Sequence, residues 1–288
     1  MVYFNWRINS KTQLYCVIGH PVETSLSPIM QNEAFRAKNL DYVYLAFDVE
    51  DLEQAIIGLK VLGVKGFNVT MPHKVSIINF LDKIDESASL VGAVNTVVNH
   101  DGDLIGYNTD VDGVVSALKT VTHSLLGSRA LLIGAGGAAR ACIVALVSLG
   151  CKEIVVLNRT LDKAKSMIKE LSKKLDIICT VGELTSSSLK RTMSSINILL
   201  NATPIGAYPK LNESIIKPEF FRVKDIVVFD VVYKPKKTKL IKDAERVGAK
   251  IIPGYEMFVG QGAKSFKLWT GINAPIEIMK RAVLEVLE

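Results

Sequence analysis

Residues 130–150 read ALLIGAGGAARACIVALVSLG, and the reading of this stretch decides the fold. An apolar run with a single charge imitates a membrane span, yet Arg140 stands at its middle, where a charge in lipid is costly. The Gly134-Ala135-Gly136-Gly137 break also splits it into a strand-length piece and a helix-length piece. A buried strand over 129–133, a glycine turn and a buried helix over 137–149 explain it better than a span. The turn, Gly134-Ala135-Gly136-Gly137-Ala138-Ala139, fits G-x-G-x-x-A between a strand and a helix, the context a dinucleotide-binding turn requires. Its glycines permit a tight turn and close approach of backbone to a pyrophosphate, while the helix start offers free N–H groups and a positive dipole end.

On the C-terminal side the alternation continues. Strands are expected over 153–157, 196–201, 225–232 and 250–252, and helices over 160–174 and 238–247. Residues 185–188 read as a Ser/Thr-rich loop. Two helices close the chain, over 256–270 and 274–287. On the N-terminal side strands are expected over 13–18, 42–48 and 64–70. Helices are expected over 27–39 (capped by Ser27, with Pro28 in its first turn), 51–62, 74–81 and 111–119. Residues 94–99 and 104–107 form a hairpin across His100-Asp101-Gly102-Asp103.

Strand–helix alternation of this kind predicts an α/β chain of two domains separated by a cleft. The first carries a mostly parallel sheet, and the second is a Rossmann-type nucleotide-binding unit. A doubly wound block seldom needs two extra terminal helices, so these return to the first domain. The expected boundaries are 1–109 plus 254–288 for the first domain and 110–253 for the second.

With 288 residues, 49% hydrophobic and 22% charged, two ordinary cores are within reach. The net charge of +6 is spread along the chain, and the densest basic stretch, residues 234–239, holds only four lysines. Nucleic acid is therefore not an expected partner, whereas a small anionic substrate or a phosphate-bearing cofactor suits the field. Cys16, Cys142, Cys151 and Cys179 form no C-x-x-C pair, which fits reduced thiols in a cytoplasmic protein. The four histidines form no ligand cluster, so no metal is expected, and the first fifteen residues carry no leader-like apolar run.

The end of the strand after the glycine turn reads Asn158-Arg159-Thr160, with no carboxylate to hold an adenosine ribose. Arg159 instead offers a planar fork to a 2′-phosphate, and Thr160 a hydroxyl at a helix cap. NADP is the expected cofactor. The alternative is a solvated arginine beside an ordinary cap.

Polar clusters follow several expected strands of the first half: Ser25-Leu26-Ser27-Pro28, Asn68-Val69-Thr70-Met71-Pro72-His73-Lys74, Gly92-Ala93-Val94-Asn95-Thr96 and Asn108-Thr109-Asp110. Singly, each has a local explanation as a cap, a turn or a solvated lysine. Taken in order, together with G-A-G-G-A-A-R, N-R-T, N-A-T and G-x-x-M-x-x-x-Q, they closely resemble the shikimate dehydrogenases over nearly the whole chain. The resemblance implies reversible NADPH-dependent reduction of 3-dehydroshikimate to shikimate on the route to aromatic amino acids.

Ser25, Ser27 and Tyr233 resemble the residues that bind the substrate carboxylate. Thr70, Asn95, Asp110 and Gln261 resemble those that hold its ring hydroxyls, and Lys74 and Asp110 resemble the catalytic pair. Asn201, Ala202, Thr203, Val231, Gly254 and Met257 resemble the wall around the nicotinamide. Thr24 departs from the histidine of many members, and Pro204-Ile205-Gly206 follows Thr203; neither touches a catalytic position. A broader quinate/shikimate dehydrogenase able to use NAD, and a non-catalytic sensor of NADP(H) and a ring acid, are the competing readings. Lys74 and Asp110 favour an enzyme over a sensor. Members of the family resembled are monomers or homodimers.

Overall fold

The computed structural model describes residues 7–221 and 225–288. The expectation of no leader falls partly on residues 1–6, outside the described residues. The chain divides into two compact units, Met1–Thr109 with Val259–Val286, and Asp110–Phe258 with Leu287–Glu288.

The first unit is built on β1 (Gln13–Gly19), α1 (Ser27–Ala37), β2 (Tyr42–Asp48), α2 (Leu52–Val61), β3 (Gly66–Val69), β4 (Lys83–Ile84), α3 (Glu86–Val91), β5 (Thr96–His100) and β6 (Asp103–Tyr107). Its sheet runs β2-β1-β3-β5-β6-β4. The pairs β1–β2, β1–β3 and β4–β6 are parallel, while β3–β5 and β5–β6 are antiparallel, so the sheet is mixed. The antiparallel β5–β6 pair is the expected hairpin. Asp101 and Gly102 both take positive φ (50° and 105°), which matches the twist of the flanking strands.

Alternation along β1 separates two cores. Cys16 and Ile18 face a cluster with Ile56 and Leu59 of α2, Val69, Val94 and Leu104. Tyr15, from the opposite face, packs its ring 5.3 Å from both Phe35 of α1 and Trp269.

In the second unit α4 (Asp110–Lys119) is followed by β7 (Arg129–Ile133), α5 (Gly137–Ser148), β8 (Glu153–Asn158), α6 (Leu161–Leu171), β9 (Ile178–Glu183), α7 (Ser186–Met193), β10 (Ile198–Asn201), β11 (Val227–Asp230), α8 (Lys239–Arg246) and β12 (Lys250–Ile252). All six strands are parallel in the order β12-β11-β10-β7-β8-β9. From the other edge this is 3-2-1-4-5-6, the doubly wound dinucleotide-binding order. Helices cover both faces of such a sheet, hence the unbroken buried runs of β7 and β10.

The last helices are α9 (Gly254–Thr270) and α10 (Ile276–Leu287). The first unit resumes at Val259, inside α9, rather than at Gly254. The start of α9 is held by the second unit, where a Cβ on Gly254 would meet the Val231 carbonyl oxygen at 2.7 Å.

Four local expectations are corrected. The helix over 74–81 is a turn followed by a 3-10 helix, Ser76–Phe80, because Val75, Ile77, Ile78 and Asn79 are poor α-formers. Residues 185–188 are the cap and first turn of α7, not a loop. Thr185 Oγ1 accepts from the Ser188 N–H, the Ser188 hydroxyl returns the bond, and Leu189 and Met193 bury one face. Ser27 is the first residue of α1 and Leu26 its cap, with the Ser25 hydroxyl accepting from the Ser27 N–H at 3.3 Å. β9, α3 and β4 were not foreseen; β9 is a half-exposed edge strand interrupted by Gly182, whose apolar pattern is correspondingly weak.

Candidate active site

The turn after β7 opens onto a cavity of about 550 Å³ in the second unit. Gly134, Ala135 and Gly136 line one wall, Asn158, Arg159, Thr160 and Lys163 another, and Ala202, Thr203 and the 204–215 segment a third. Gly134 takes φ +120°, and a Cβ there would meet the Ala202 carbonyl oxygen at 2.7 Å, so glycine is required by the turn itself. A Cβ on Gly136 or Gly137 would meet nothing within 4 Å. Gly136 caps α5 without any side-chain hydrogen bond, so the helix start keeps unsatisfied N–H groups. Ala139 is fully buried, the close helix–sheet contact expected of that position.

Thr160 caps α6 by position, but its side chain accepts no cap bond. Arg159 and Lys163 are absent from the ion pairs among the described residues, whereas Glu213 on the same wall is offset by Lys210 at 3.3 Å. The cavity therefore combines open backbone N–H groups, space where side chains would otherwise stand, and uncompensated cations. This set fits a phosphate-bearing dinucleotide.

At the ends of β10 and β11, Asn201 Oδ1 accepts from the Thr203 N–H and hydroxyl at 3.1 and 2.7 Å. Asn201 Nδ2 donates to Asp230 Oδ1 at 2.9 Å. This bond ties the loop lining the cavity to the adjacent strand. Val231 and Met257 lie outside that cavity, as do Gly137, Ala138 and Gly254. Tyr233 stacks on Phe258 at 4.5 Å, and burial pushes its phenol pKa up, so it remains an O–H donor.

In the first unit, backbone hydrogen bonds gather two of the polar clusters beside β1. Thr70 N–H donates to the Ile18 carbonyl at 2.9 Å, Val69 N–H to the Asn95 carbonyl at 2.9 Å, and Val94 N–H to the Lys74 carbonyl at 2.8 Å. Thr70, Lys74 and Asn95 thus stand at neighbouring strand ends. The buried His73 ring, hydrogen-bonded through Nε2 to the Val49 carbonyl at 2.7 Å, fastens the segment that carries Lys74. Gln261 lies one turn before Ser265 on α9, whose hydroxyl donates to the Gln261 carbonyl at 3.0 Å. Asp110 opens α4 in the second unit, where a carboxylate suits the helix N-terminus.

Residues 17–97 match the family model described as the shikimate dehydrogenase substrate binding domain, residues 116–232 that of shikimate / quinate 5-dehydrogenase, and residues 254–284 that of the shikimate 5'-dehydrogenase C-terminal domain. A protein of Methanocaldococcus jannaschii named shikimate dehydrogenase (NADP(+)) is 47% identical over 282 residues, covering 96% of this chain and 98% of that one. The chain belongs to the shikimate dehydrogenase family. A crystal structure of a shikimate dehydrogenase in complex with NADP+ has a TM-score of 0.90 and 43% identity, covering 98% of both chains. A second, from Listeria monocytogenes in complex with shikimate and NAD, gives a TM-score of 0.88 at 38% identity, again covering 98% of both chains.

For a shikimate dehydrogenase, several cavity residues were not singled out from sequence: Lys163, Leu184, Lys210, Ser214 and Ile215. Lys163 stands four residues after Arg159 and could have been found from helical spacing. The 204–215 wall carries no motif. No helix among the described residues is long and apolar enough to cross a membrane, and none of their His, Cys, Asp and Glu side chains form a group of three or more suited to a metal ion.

Proposed function

We propose that this protein reduces 3-dehydroshikimate to shikimate with NADPH, reversibly, in the route to aromatic amino acids. The first unit and the α9–α10 return bind substrate, and the second unit binds the cofactor. The observation that carries the cofactor half is the cavity lined by Gly134, Gly136 and Arg159, which joins no ion pair among the described residues, with no carboxylate at Asn158–Thr160. Family membership at 47% identity carries the substrate half.

Ser25 and Ser27 donate hydroxyl hydrogen bonds to the substrate carboxylate, joined by the neutral Tyr233 phenol. Thr70, Asn95, Asp110 and Gln261 hold the ring hydroxyls. When bound, the reduced nicotinamide supplies the hydride, with Asn201, Ala202, Thr203, Val231, Gly254 and Met257 around it. The Lys74 ammonium stabilises the negative charge that develops on the C3 oxygen and delivers the proton to it; solvent then reprotonates the amine. In the oxidation direction neutral Lys74 accepts that proton. Asp110 orients Lys74 and the hydroxyl, and its charge favours the ammonium. Arg159 and Thr160 grip the 2′-phosphate, and the start of α5 receives the pyrophosphate.

The four free cysteines suit a cytoplasmic setting, and light scattering distinguishes the monomer from the homodimer. The test of function is the initial rate of NADP+ and NAD+ reduction, each with shikimate and with quinate. Turnover confined to shikimate with NADP+ is expected. Comparable rates with quinate or NAD+ move the protein to the broader dehydrogenase, and binding of NADP+ without turnover removes the enzyme reading.

A further inference from the structure

Behind the strand ends that carry Thr70, Lys74 and Asn95, the first unit holds buried polar side chains in a sheet that is otherwise apolar. Asn95 is 3% exposed, and the Thr109 backbone N–H donates to its Oδ1 at 2.7 Å. A backbone N–H can only donate, so this edge of the amide is its oxygen; Nδ2 donates to Thr109 Oγ1 at 3.0 Å. Thr96 Oγ1, fully buried, lies 3.1 Å from Thr109 Oγ1, 2.8 Å from Ser265 Oγ, 3.2 Å from Asn95 Oδ1 and 3.0 Å from Asn68 Nδ2.

Asn68 is oriented in its turn from the other side. The Tyr44 hydroxyl donates to Asn68 Oδ1 at 2.6 Å, which directs Nδ2 to the Asn95 carbonyl at 3.0 Å. Burial holds the Tyr44 pKa well above its ordinary value, so the donor is permanent. The ends of this network are Asn95 before β5 and, through Ser265, the turn of α9 that carries Gln261. These are two residues from two separate segments, both assigned above to the ring acid.

Replacing both partners of a buried hydrogen bond with apolar groups of the same shape can be nearly neutral or stabilising, so stability alone gives little reason to retain the cluster. A satisfied network does fix one hydrogen-bond orientation for each member. We propose that Tyr44 and Thr96 are positioning residues for the ring acid, holding the Asn95 amide, through Asn68 and Thr109, in the orientation that receives substrate. This rests on the assignment of Asn95 as a substrate-binding residue.

The test compares the full chain with Thr96→Val, Thr96→Ser and Tyr44→Phe, measuring kcat, KM for shikimate, KM for NADP+ and Tm. Thr96→Val keeps the shape and removes the hydroxyl, so KM for shikimate rises about tenfold, with kcat and KM for NADP+ within about twofold. Thr96→Ser restores the hydroxyl and returns KM to near the original value. Tyr44→Phe keeps its ring against Trp269 and raises KM for shikimate by roughly the same factor. If Thr96→Val does not fold, Tyr44→Phe decides. Folded Thr96→Val and Tyr44→Phe proteins with unchanged KM for shikimate overturn the proposal. It is equally overturned by parallel losses for shikimate and NADP+, or by failure of Thr96→Ser to rescue. An original chain that turns over no shikimate overturns the functional reading and this proposal together. An active chain with indifferent variants overturns only the latter.

Discussion

Asn201 Nδ2 donates to the fully buried Asp230 Oδ1 at 2.9 Å, and the same asparagine receives Thr203 from the cavity wall. One side chain therefore links the loop beside the cofactor cavity to a carboxylate at the end of β11. Thr238 Oγ1 and the Val232 N–H also donate to that carboxylate, at 2.6 and 3.1 Å. Burial still outweighs these donors and pushes its pKa up to about 6 from 3.8.

A raised carboxylate pKa means that the folded protein holds this proton more tightly than the unfolded chain. The contribution of Asp230 to stability is thus largest at acid pH, declines as pH rises from about 4 to about 6, and is level above. Asp230→Asn keeps an acceptor for Asn201 and cannot titrate. Between pH 4 and pH 7 the variant gains about 2 kcal/mol in unfolding free energy relative to the original chain. Urea unfolding of both proteins across that range checks this. A constant difference would show that Asp230 does not titrate there.

The two fingerprint glycines separate a folding role from a binding role. Gly134→Ala places a Cβ against the Ala202 carbonyl in a left-handed backbone, and is expected to cost about 1–3 kcal/mol of stability. Gly136 has φ −101° and open space around it, so Gly136→Ala changes stability by less than about 1 kcal/mol. It should nonetheless weaken NADP+, because the new methyl stands where the pyrophosphate approaches. Thermal unfolding and cofactor titration of the pair test the assignment. Unchanged NADP+ affinity in Gly136→Ala would move the pyrophosphate elsewhere.

The same contrast shows what the sequence made legible. Gly134, Gly136 and Arg159 were readable because their chemistry depends on neighbours close in sequence: a strand, a turn and a helix start. Asn68, Thr96 and Thr109 stood inside recognised motifs, yet their partners are Tyr44 and Ser265, 24 residues or more from Asn68. No local pattern announces a hydrogen bond between residues 68 and 265. The α7 helix was hidden for a different reason. Its capping box uses Ser188 in place of the usual Glu or Gln, so its first turn read as loop. The 204–215 cavity wall, largely irregular apart from an isolated bridge between Ile205 and Ala207, had no period to detect.

Lys74 is the residue whose loss should separate binding from chemistry. Its charge matters most as the C3 oxygen becomes an alkoxide, so Lys74→Ala should lower kcat by about 10²–10⁴-fold while KM for shikimate changes far less. Single-turnover reduction of 3-dehydroshikimate, followed by loss of NADPH absorbance, isolates the step. A variant with near-normal turnover would take Lys74 out of proton transfer and leave it a binding residue.

Arg159 tests cofactor choice. It stands exposed on the cavity wall, outside the ion pairs among the described residues, with Lys163 one helical turn further on. A 2′-phosphate gripped by a guanidinium fork makes charge-assisted bonds, each worth about 1.5–3 kcal/mol, whereas the ribose hydroxyl of NAD+ offers no such partner. Arg159→Ala should therefore weaken NADP+ by roughly 10–100-fold and NAD+ by less than about threefold, raising the relative use of NAD+. Titration of each cofactor, at low and high salt, gives both numbers. The NADP+ loss should shrink as salt screens the phosphate. Equal losses for the two cofactors, insensitive to salt, would mean that Arg159 only stacks on the adenine and that the preference for the phosphate lies with Lys163 or Thr160.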